Sequence, residues 1–249
     1  MSNIPYLARR LAGTLSEEIE NLDLVLTVRH DMADWARLYA ATPVGFVNPG
    51  FDPAFCRVHA DNAFWIEVTS RHGDLVACTA SKRWLSDDLP ADLAYSRLWL
   101  ERQPPERSMP LCLPEGFPAR AGRFQHYGGL WVDPVGRGLG LSALLPRLAR
   151  AIATHRWQPD WHIGWTLEPV GRSRLPRHYY GYARLLQATD ETYWPPSGRV
   201  ESCFLPWESA TMWADAARRQ LVPDERRRAA GPVVRPSGDD GRRTGRRQS

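Results

Sequence analysis

The sequence predicts a single α/β domain with a mixed, mostly antiparallel sheet of about six to seven strands flanked by helices. The length of 249 residues, with 43% hydrophobic and 24% charged residues, fits one globular domain. Apolar β-prone runs alternate with segments of helical periodicity along most of the chain. An early hairpin and a later strand–helix–strand unit together favour a sheet that mixes antiparallel and parallel pairs.

The first hundred residues carry short elements separated by turn signals. We expect helices at 16–21, 32–39 and 55–59 and a strand at 24–28. Residues 63–69 and 75–80 are apolar and β-prone, and the turn between them contains Gly73. Two such runs around a glycine-containing turn predict an antiparallel hairpin.

The rest of the chain alternates helices and strands around a glycine-rich turn. A helical pattern at 87–100 precedes the Pro- and Gly-rich residues 103–123, which predict a long irregular connection. A strand at 124–132 leads into the glycine-rich turn, and a helix follows at 139–152 with leucines three and four residues apart. The remaining predicted elements are, in order, a strand at 161–167, a short helix at 173–180, a strand at 200–205 and a helix at 210–221.

The charge of the chain is concentrated at its C-terminal end. The formal net charge is +4, and residues 222–249 contain eight arginines and four acidic residues, so the remaining body is near neutral. This end is rich in Arg, Gly and Pro and lacks apolar residues to bury, which predicts a disordered tail. We therefore expect a folded domain at 1–221 with the tail at 222–249. Nucleic acid is not an expected partner, because no basic cluster marks the folded part.

The cysteines and the apolar runs indicate where the protein resides. Its four cysteines, Cys56, Cys78, Cys112 and Cys203, lie far apart and form no metal-ligand spacing, so we expect reduced thiols and no metal. No apolar run approaches the roughly 18 residues of a membrane span, and the N-terminus lacks the apolar segment of a secretory signal. These features predict a cytoplasmic protein without a membrane partner, and they leave a homodimer open.

The glycine-rich turn is the strongest functional signal in the chain. Trp131-Val132-Asp133 ends an apolar strand, and Arg137-Gly138-Leu139-Gly140-Leu141-Ser142 opens the following helix. The first turn of a helix exposes unpaired N–H groups at the positive end of its dipole, and glycines let a phosphate approach them. The turn therefore predicts a pyrophosphate cradle. It is not a Walker loop, because no Gly-Lys-Ser/Thr follows, and it lacks the third glycine of a dinucleotide fingerprint.

The turn resembles the acyl-CoA-binding motif of the GNAT acetyltransferase superfamily, which is Arg or Gln, any two residues, Gly, any residue, then Gly or Ala. Arg137 takes the first place, Gly140 the glycine place, and Ser142 stands at the last. The hairpin resembles the second and third strands of that family, and His178-Tyr179-Tyr180-Gly181-Tyr182 resembles its late tyrosine and glycine segment.

The resemblance implies a GNAT-like fold and an acyl-CoA-dependent N-acyltransferase, with acetyl-CoA as cosubstrate, no metal, and an amine of a small molecule or protein as acceptor. It implies that the backbone of the fourth strand pairs with the pantetheine arm and that the glycine turn holds the pyrophosphate. The cofactor-binding residues predicted in this way are Leu130, Trp131, Val132, Arg137, Gly138, Leu139, Gly140, Leu141 and Ser142.

Acyl transfer to an amine needs a base, and an acid can protonate the leaving thiolate. His126 is the first candidate base because histidine titrates near neutrality, and Glu168 is the alternative. Tyr180 is the candidate acid. The tyrosine that often serves as acid in the family corresponds to Arg177 in this chain, and the family's frequent Asn after the fifth strand is replaced by Glu168-Pro169-Val170.

The sequence leaves two alternative functions open. The missing tyrosine at Arg177 is compatible with a GNAT-shaped regulatory module that binds CoA without catalysis. The arginines of the tail are compatible with nucleic-acid binding through that segment. For each catalytic candidate, a purely structural role is the competing interpretation.

Overall fold

The computed structural model describes residues 3–44, 47–104, 106, 108–114, 117, 121–190 and 202–222. Apart from Val222, the predicted tail lies outside the described residues, and so do the first two residues of the strand predicted at 200–205.

The described residues form five α-helices and eight β-strands. The helices are α1 (Ile4–Glu20), α2 (Met32–Ala40), α3 (Leu89–Ala94), α4 (Leu141–Trp157) and α5 (Ala210–Leu221). The strands are β1 (Leu24–Arg29), β2 (Ala63–Ser70), β3 (Leu75–Ser86), β4 (Gly122–Val132), β5 (Trp161–Gly164), β6 (Thr166–Leu167), β7 (Arg184–Thr189) and β8 (Cys203–Ser209). A π-helical turn at Leu175–Tyr179 lies between β6 and β7.

The strands form one sheet in the order β1-β2-β3-β4-β5-β8-β6, and β7 also pairs with β8. Among the described strands only β4 and β5 are parallel, and α4 forms the crossover between them. The predicted mixed, mostly antiparallel α/β fold is therefore confirmed. The sheet has eight strands where six to seven were predicted. The strand predicted at 161–167 breaks at Trp165 into β5 and β6, and β7 was not predicted.

The N-terminal helix is longer than its sequence pattern indicated. It begins at Ile4, where the side chain of Asn3 accepts a hydrogen bond from the N–H of Tyr6. Its apolar stripe, Ala8, Leu11, Leu15 and Ile19, is buried. The prediction at 16–21 therefore covered only its last turn, because the two arginines in the first half masked the three-and-four spacing.

Two other predicted helices are wrong in extent or in kind. Residues 55–59 form no helix, because Phe55 and Cys56 turn back onto the carbonyl of Asp52. The helix predicted at 87–100 is reduced to α3, which ends where Ser96 takes a positive φ of 54°. A β-carbon in the left-handed region is strained, so the helix cannot continue through that residue.

Helices cover both faces of the sheet. Helices α1, α4 and α5 pack on one face around the main core, whose members include Leu15, Phe64, Leu145 and Trp213. On the other face, Trp35 and Tyr39 of α2 pack with Phe51 and Trp65. The middle of the sheet is thus buried on both sides.

Lys82 on β3 is the single lysine of the chain and is buried, with 2% of its surface exposed. Its ammonium donates to the carbonyl of Leu98, lies 3.3 Å from Sγ of Cys56, and sits over the ring of Trp84 at 5.0 Å. The alkyl stem and the charge are therefore both enclosed by the fold.

Among the residues that the structure describes, no helix is both long and apolar enough to cross a membrane.

Candidate active site

The sheet opens into a V where β4 and β6 part. Parallel pairing between β4 and β5 runs from Phe124 opposite Trp161 to Tyr127 opposite Gly164 and then stops. After Gly164 the chain bends at Trp165 and continues as β6, which pairs with β8. The second half of β4 therefore lacks a partner on this side within the described strands, and a cavity of about 200 Å³ occupies the gap.

A bulge in β4 lies at the same level as this cavity. Ala80 of β3 pairs with Gly128 and Cys78 pairs with Trp131, so β4 has two residues opposite one on β3. Gly129 has a φ of +60°, and a β-carbon there would lie 2.4 Å from Cζ2 of Trp35. Glycine meets both conditions, because it has no β-carbon and tolerates a positive φ.

β4 lines the cavity as far as Leu130 and then leads into the glycine turn. The carboxylate of Asp133 accepts from the N–H of Val135 at 2.8 Å and fixes the start of the turn. Gly138 and Gly140 have φ values of +91° and +79°, and a β-carbon on either would meet nothing within 4 Å. The turn is thus open to solvent on the side where these residues lie.

The start of α4 offers several unpaired donors. Its N-cap is Gly140, which has no side chain to cap the helix. Within the described part of the chain, the N–H groups of Gly138, Gly140, Leu141 and Ser142 donate to no acceptor. Arg137 is exposed beside them. Four free N–H groups at the positive end of a helix, with a guanidinium nearby, can bind an anionic group such as a pyrophosphate.

The predicted strand and turn residues therefore occupy different surroundings. Leu130 lines the cavity and, like Val132, packs against the main core. Trp131 faces a larger groove of about 690 Å³ beside α2, which it shares with Trp65. Leu139 is exposed in the turn, and Leu141 anchors the helix in the main core.

Four tyrosines line the cavity, namely Tyr39, Tyr127, Tyr180 and Tyr182. The rings of Tyr127 and Tyr180 meet edge to face, with centroids 6.4 Å apart. Burial raises the pKa of all four phenols, and it brings the pKa of Tyr180 to about 12. Every one of these hydroxyls is therefore protonated at neutral pH and can donate a hydrogen bond.

The corner that carries Tyr180 and Tyr182 is braced by a buried ion pair. Arg150 of α4 and Glu208 of β8 lie 3.3 Å apart, with only 2% and 1% of their side chains exposed. Arg150 donates to the carbonyl of Tyr180, and its guanidinium sits 4.2 Å from the ring centroid of Tyr182. Burial raises the pKa of the Glu208 carboxyl, and the charge of Arg150 opposes this rise.

Two arginines of α4, Arg147 and Arg150, lie against the glycine of this corner. Gly181 has a φ of +77°, and a β-carbon there would lie 3.1 Å from Nε of Arg147 and 3.3 Å from Nη2 of Arg150. Arg147 also donates to the carbonyl of His178 at 3.3 Å. The conformation of the corner thus depends on contacts with α4 and not on its local sequence alone.

His126 lies on β4 but does not line the cavity. Its ring stacks on Phe51 with centroids 4.8 Å apart, and neither ring nitrogen has a hydrogen-bond partner among the described residues. Burial, and then the charge of Lys82, holds the pKa of His126 well below its usual range. The imidazole is neutral at physiological pH, and the structure does not bring it together with Tyr180.

Glu168 lies just beyond β6, before a cis peptide bond to Pro169. Its carboxylate is partly exposed and forms an ion pair with Arg172. It does not line the cavity, although its neighbour Val170 does. Of the three predicted catalytic residues, Tyr180 alone contributes to the cavity wall.

The sequence reading missed several residues of this site. Tyr39 comes from α2, and Glu208 comes from the last strand, far from the glycine turn in sequence. No spacing rule links Arg150 with Glu208, since their pairing depends on how α4 crosses the sheet. The one sequence signal for Arg150 was a charged residue on an otherwise apolar helix face. In the described ranges, no group of three or more His, Cys, Asp or Glu side chains could hold a metal ion.

No protein-family model and no curated protein sequence matches the chain. Similar solved structures include a variant of the spermidine N-acetyltransferase SpeG from Vibrio cholerae, with a TM-score of 0.43 and 9% identity, covering 76% of this chain and 95% of that one. Arabidopsis thaliana NAA60 in complex with acetyl-CoA has a TM-score of 0.44 and 12% identity, with coverage of 74% and 99%. FeeM, an N-acyl amino acid synthase from uncultured soil microbes, has a TM-score of 0.44 and 13% identity, with coverage of 76% and 93%.

Proposed function

We propose that the chain is an acyl-CoA-dependent N-acyltransferase of the GNAT type that transfers an acyl group, with acetyl-CoA as the donor, to an amine. One observation carries the proposal. β4 joins the two parts of the site, since its residues up to Leu130 line the cavity and its C-terminal end leads into a glycine turn whose helix N-terminus holds free N–H groups. A long ligand that lies along β4, with an anionic end at the turn and a reactive end in the cavity, suits this arrangement.

The residues present suit the pyrophosphate of an acyl-CoA. The N–H groups of Gly138, Gly140, Leu141 and Ser142 supply neutral donors, and Arg137 supplies a charge-assisted contact. The chain needs no lysine at this place, because the helix dipole favours negative charge there. Acyl-CoA supplies an activated thioester when bound.

Tyr180 is the proposed acid of the reaction. It lines the cavity, and its hydroxyl is protonated at neutral pH because burial raises its pKa to about 12. In the proposed step, the amine nitrogen bonds to the acyl carbon, the carbon–sulfur bond breaks, and Tyr180 gives its proton to the leaving sulfur. His126 and Glu168 stay predictions for the base that removes the ammonium proton.

The first test is binding of the donor. We expect acetyl-CoA at 100 times its Kd to stabilise the protein by about 2.7 kcal/mol and so to raise Tm by several degrees. Ser142→Glu places a carboxylate in the first turn of α4, where it suits the helix dipole but repels a pyrophosphate. The variant should fold and lose the Tm shift, measured by differential scanning calorimetry.

Ser142→Gln is the matched control, because it has the same size without the charge, and it should keep most of the shift. The proposal fails if no acyl-CoA raises Tm of the wild-type protein. A silent CoA-binding module remains the second candidate, because Arg177 stands where the family's acid is usual. Transfer of isotope-labelled acetyl to any amine in a substrate panel would exclude that candidate.

A further inference from the structure

The hydroxyl of Tyr182 is a buried donor without a use inside the protein. Tyr182 is 3% exposed, and its hydroxyl proton has no acceptor among the described residues. Burying a hydroxyl without a partner costs free energy, so such a group calls for an explanation. Because Tyr182 also lines the cavity between β4 and β6, a ligand in that cavity can supply the missing partner.

The hydroxyl of Tyr182 lies beside Gly164 in the cavity. A β-carbon on Gly164 would lie 3.4 Å from Oη of Tyr182 and 3.7 Å from the carbonyl oxygen of Tyr127. Gly164 and Tyr127 form the last parallel pair before the strands part. The hydroxyl therefore lies at the closed end of the V, where β4 and β5 are still paired.

The ring of Tyr182 is held in this position from behind. The Arg150 guanidinium lies 4.2 Å from its ring centroid and is itself paired with Glu208 at 3.3 Å. Gly181, with its positive φ, sets the direction in which the chain leaves the π-helical turn. A donor fixed before the ligand arrives does not have to be reoriented during the reaction.

We propose that the hydroxyl of Tyr182 donates a hydrogen bond to the carbonyl oxygen of the acyl thioester. The assignment rests on the proposed function. A donor whose anionic part lies at Gly138 to Ser142 reaches the closed end of the V with its acyl group, and the carbonyl oxygen is the strong acceptor there. The bond polarises the carbonyl and strengthens as the oxygen gains negative charge during attack by the amine.

Two probes of equal length separate this bond from all other contacts. Acetyl-CoA has the carbonyl oxygen, and S-ethyl-CoA lacks it. Isothermal titration calorimetry gives Kd for both probes with the wild-type protein, Tyr182→Phe and Tyr179→Phe. Tyr179, which is 49% exposed on the same turn, provides the matched control. Thermal unfolding confirms that each variant is folded.

We expect wild-type protein to bind acetyl-CoA about three- to tenfold more tightly than S-ethyl-CoA, as one hydrogen bond implies. Tyr182→Phe should bring the ratio close to one while leaving Kd for S-ethyl-CoA unchanged, and Tyr179→Phe should keep the wild-type ratio.

Equal affinity of the wild-type protein for both probes overturns the assignment and leaves the proposed function standing. The same holds if Tyr182→Phe keeps the wild-type ratio or weakens both probes alike, since the hydroxyl then only supports packing or binds water. Failure of both probes to bind the wild-type protein overturns the proposed function together with the assignment. If Tyr182→Phe does not fold, the wild-type ratio still tests the assignment, because equal affinity for the two probes overturns it.

Discussion

Arg150 shows how one buried side chain organises the candidate site. It contacts a carboxylate on β8, a backbone carbonyl at Tyr180 and the face of Tyr182. These contacts come from two segments, β8 and the corner at Tyr180 to Tyr182, and both are distant from Arg150 in sequence, so no local pattern could have predicted them. By contrast, the sequence predicts a site role for Tyr180, because a tyrosine before a glycine corner resembles the late segment of GNAT proteins, and Tyr180 lines the cavity.

The buried ion pair should matter most when only half of it is removed. Arg150→Met leaves the Glu208 carboxylate buried without its cation, and we expect it to lower the free energy of unfolding by about 3–5 kcal/mol. The double variant Arg150→Met with Glu208→Leu should recover much of this loss, because it removes both charges. Urea unfolding of the single and double variants measures the difference. Equal losses in the two would contradict this view of the pair.

Tyr180→Phe tests the proposed acid directly. Removal of a general acid typically costs a factor of about 10² or more in rate, so kcat should fall by about that factor while KM for acetyl-CoA changes little. A thiol reagent follows CoA release with the amine panel. Tyr39→Phe is the control, since it removes another hydroxyl from the cavity wall. A wild-type kcat in Tyr180→Phe would rule out the acid role.

At the scale of elements, the bulge in β4 and the start of α4 were predictable to different degrees. The glycine turn and its helix followed from the spacing of Gly138, Gly140 and the leucines. The bulge did not, because Gly128-Gly129 inside a strand pattern specifies neither the register nor the contact with Trp35. The pairing of β3 with β4 reveals that extra residue.

Gly129→Ala should strain the bulge and collide with α2. The residue has a positive φ, and its new methyl would overlap the Trp35 ring. We expect the free energy of unfolding to fall by about 2–4 kcal/mol, from backbone strain and overpacking together. Gly73→Ala, which has a φ of +90° but nothing within 4 Å, isolates the strain and should cost only about 1–2 kcal/mol. Chemical denaturation compares the two variants.

For the whole molecule, composition and periodicity predicted the class of fold and most of the strands. They could not predict that the helix expected at 87–100 ends before Ser96 or that the strand expected at 161–167 breaks at Trp165, because both breaks depend on tertiary packing. They also did not predict which polar residues of the sheet are buried. His162 is one of these: it is fully buried, and its two ring nitrogens lie 2.9 Å from Gln125 and 3.2 Å from Thr154.

The buried histidines predict a loss of stability in acid. Burial holds the pKa of His126 and of His162 well below 6.5 in the folded state, whereas the unfolded chain titrates near 6.5. The unfolded state therefore binds more protons below pH 6.5, and stability falls as the pH falls. Each histidine contributes up to about 1.4 kcal/mol per pH unit.

Unfolding free energies measured between pH 7 and pH 5 test this expectation. His126→Phe keeps an aromatic ring against Phe51 and should reduce the slope by about 1.4 kcal/mol per pH unit. His72→Gln, in the exposed turn between β2 and β3, should leave the slope unchanged. An unaltered slope in His126→Phe would show that its imidazole does not stay neutral in the fold.

The burial of Lys82 limits how readily the protein can be acylated on its own amines. Lys82 is the single lysine of the chain, and its amine is shielded from solvent. The arginines are not readily acylated by activated thioesters. Under the proposed function, the folded molecule meets reactive acyl groups and presents no lysine on its surface for stray modification. Amine-reactive labels should mark its α-amino group alone, and a second label would report that the region around Lys82 has opened.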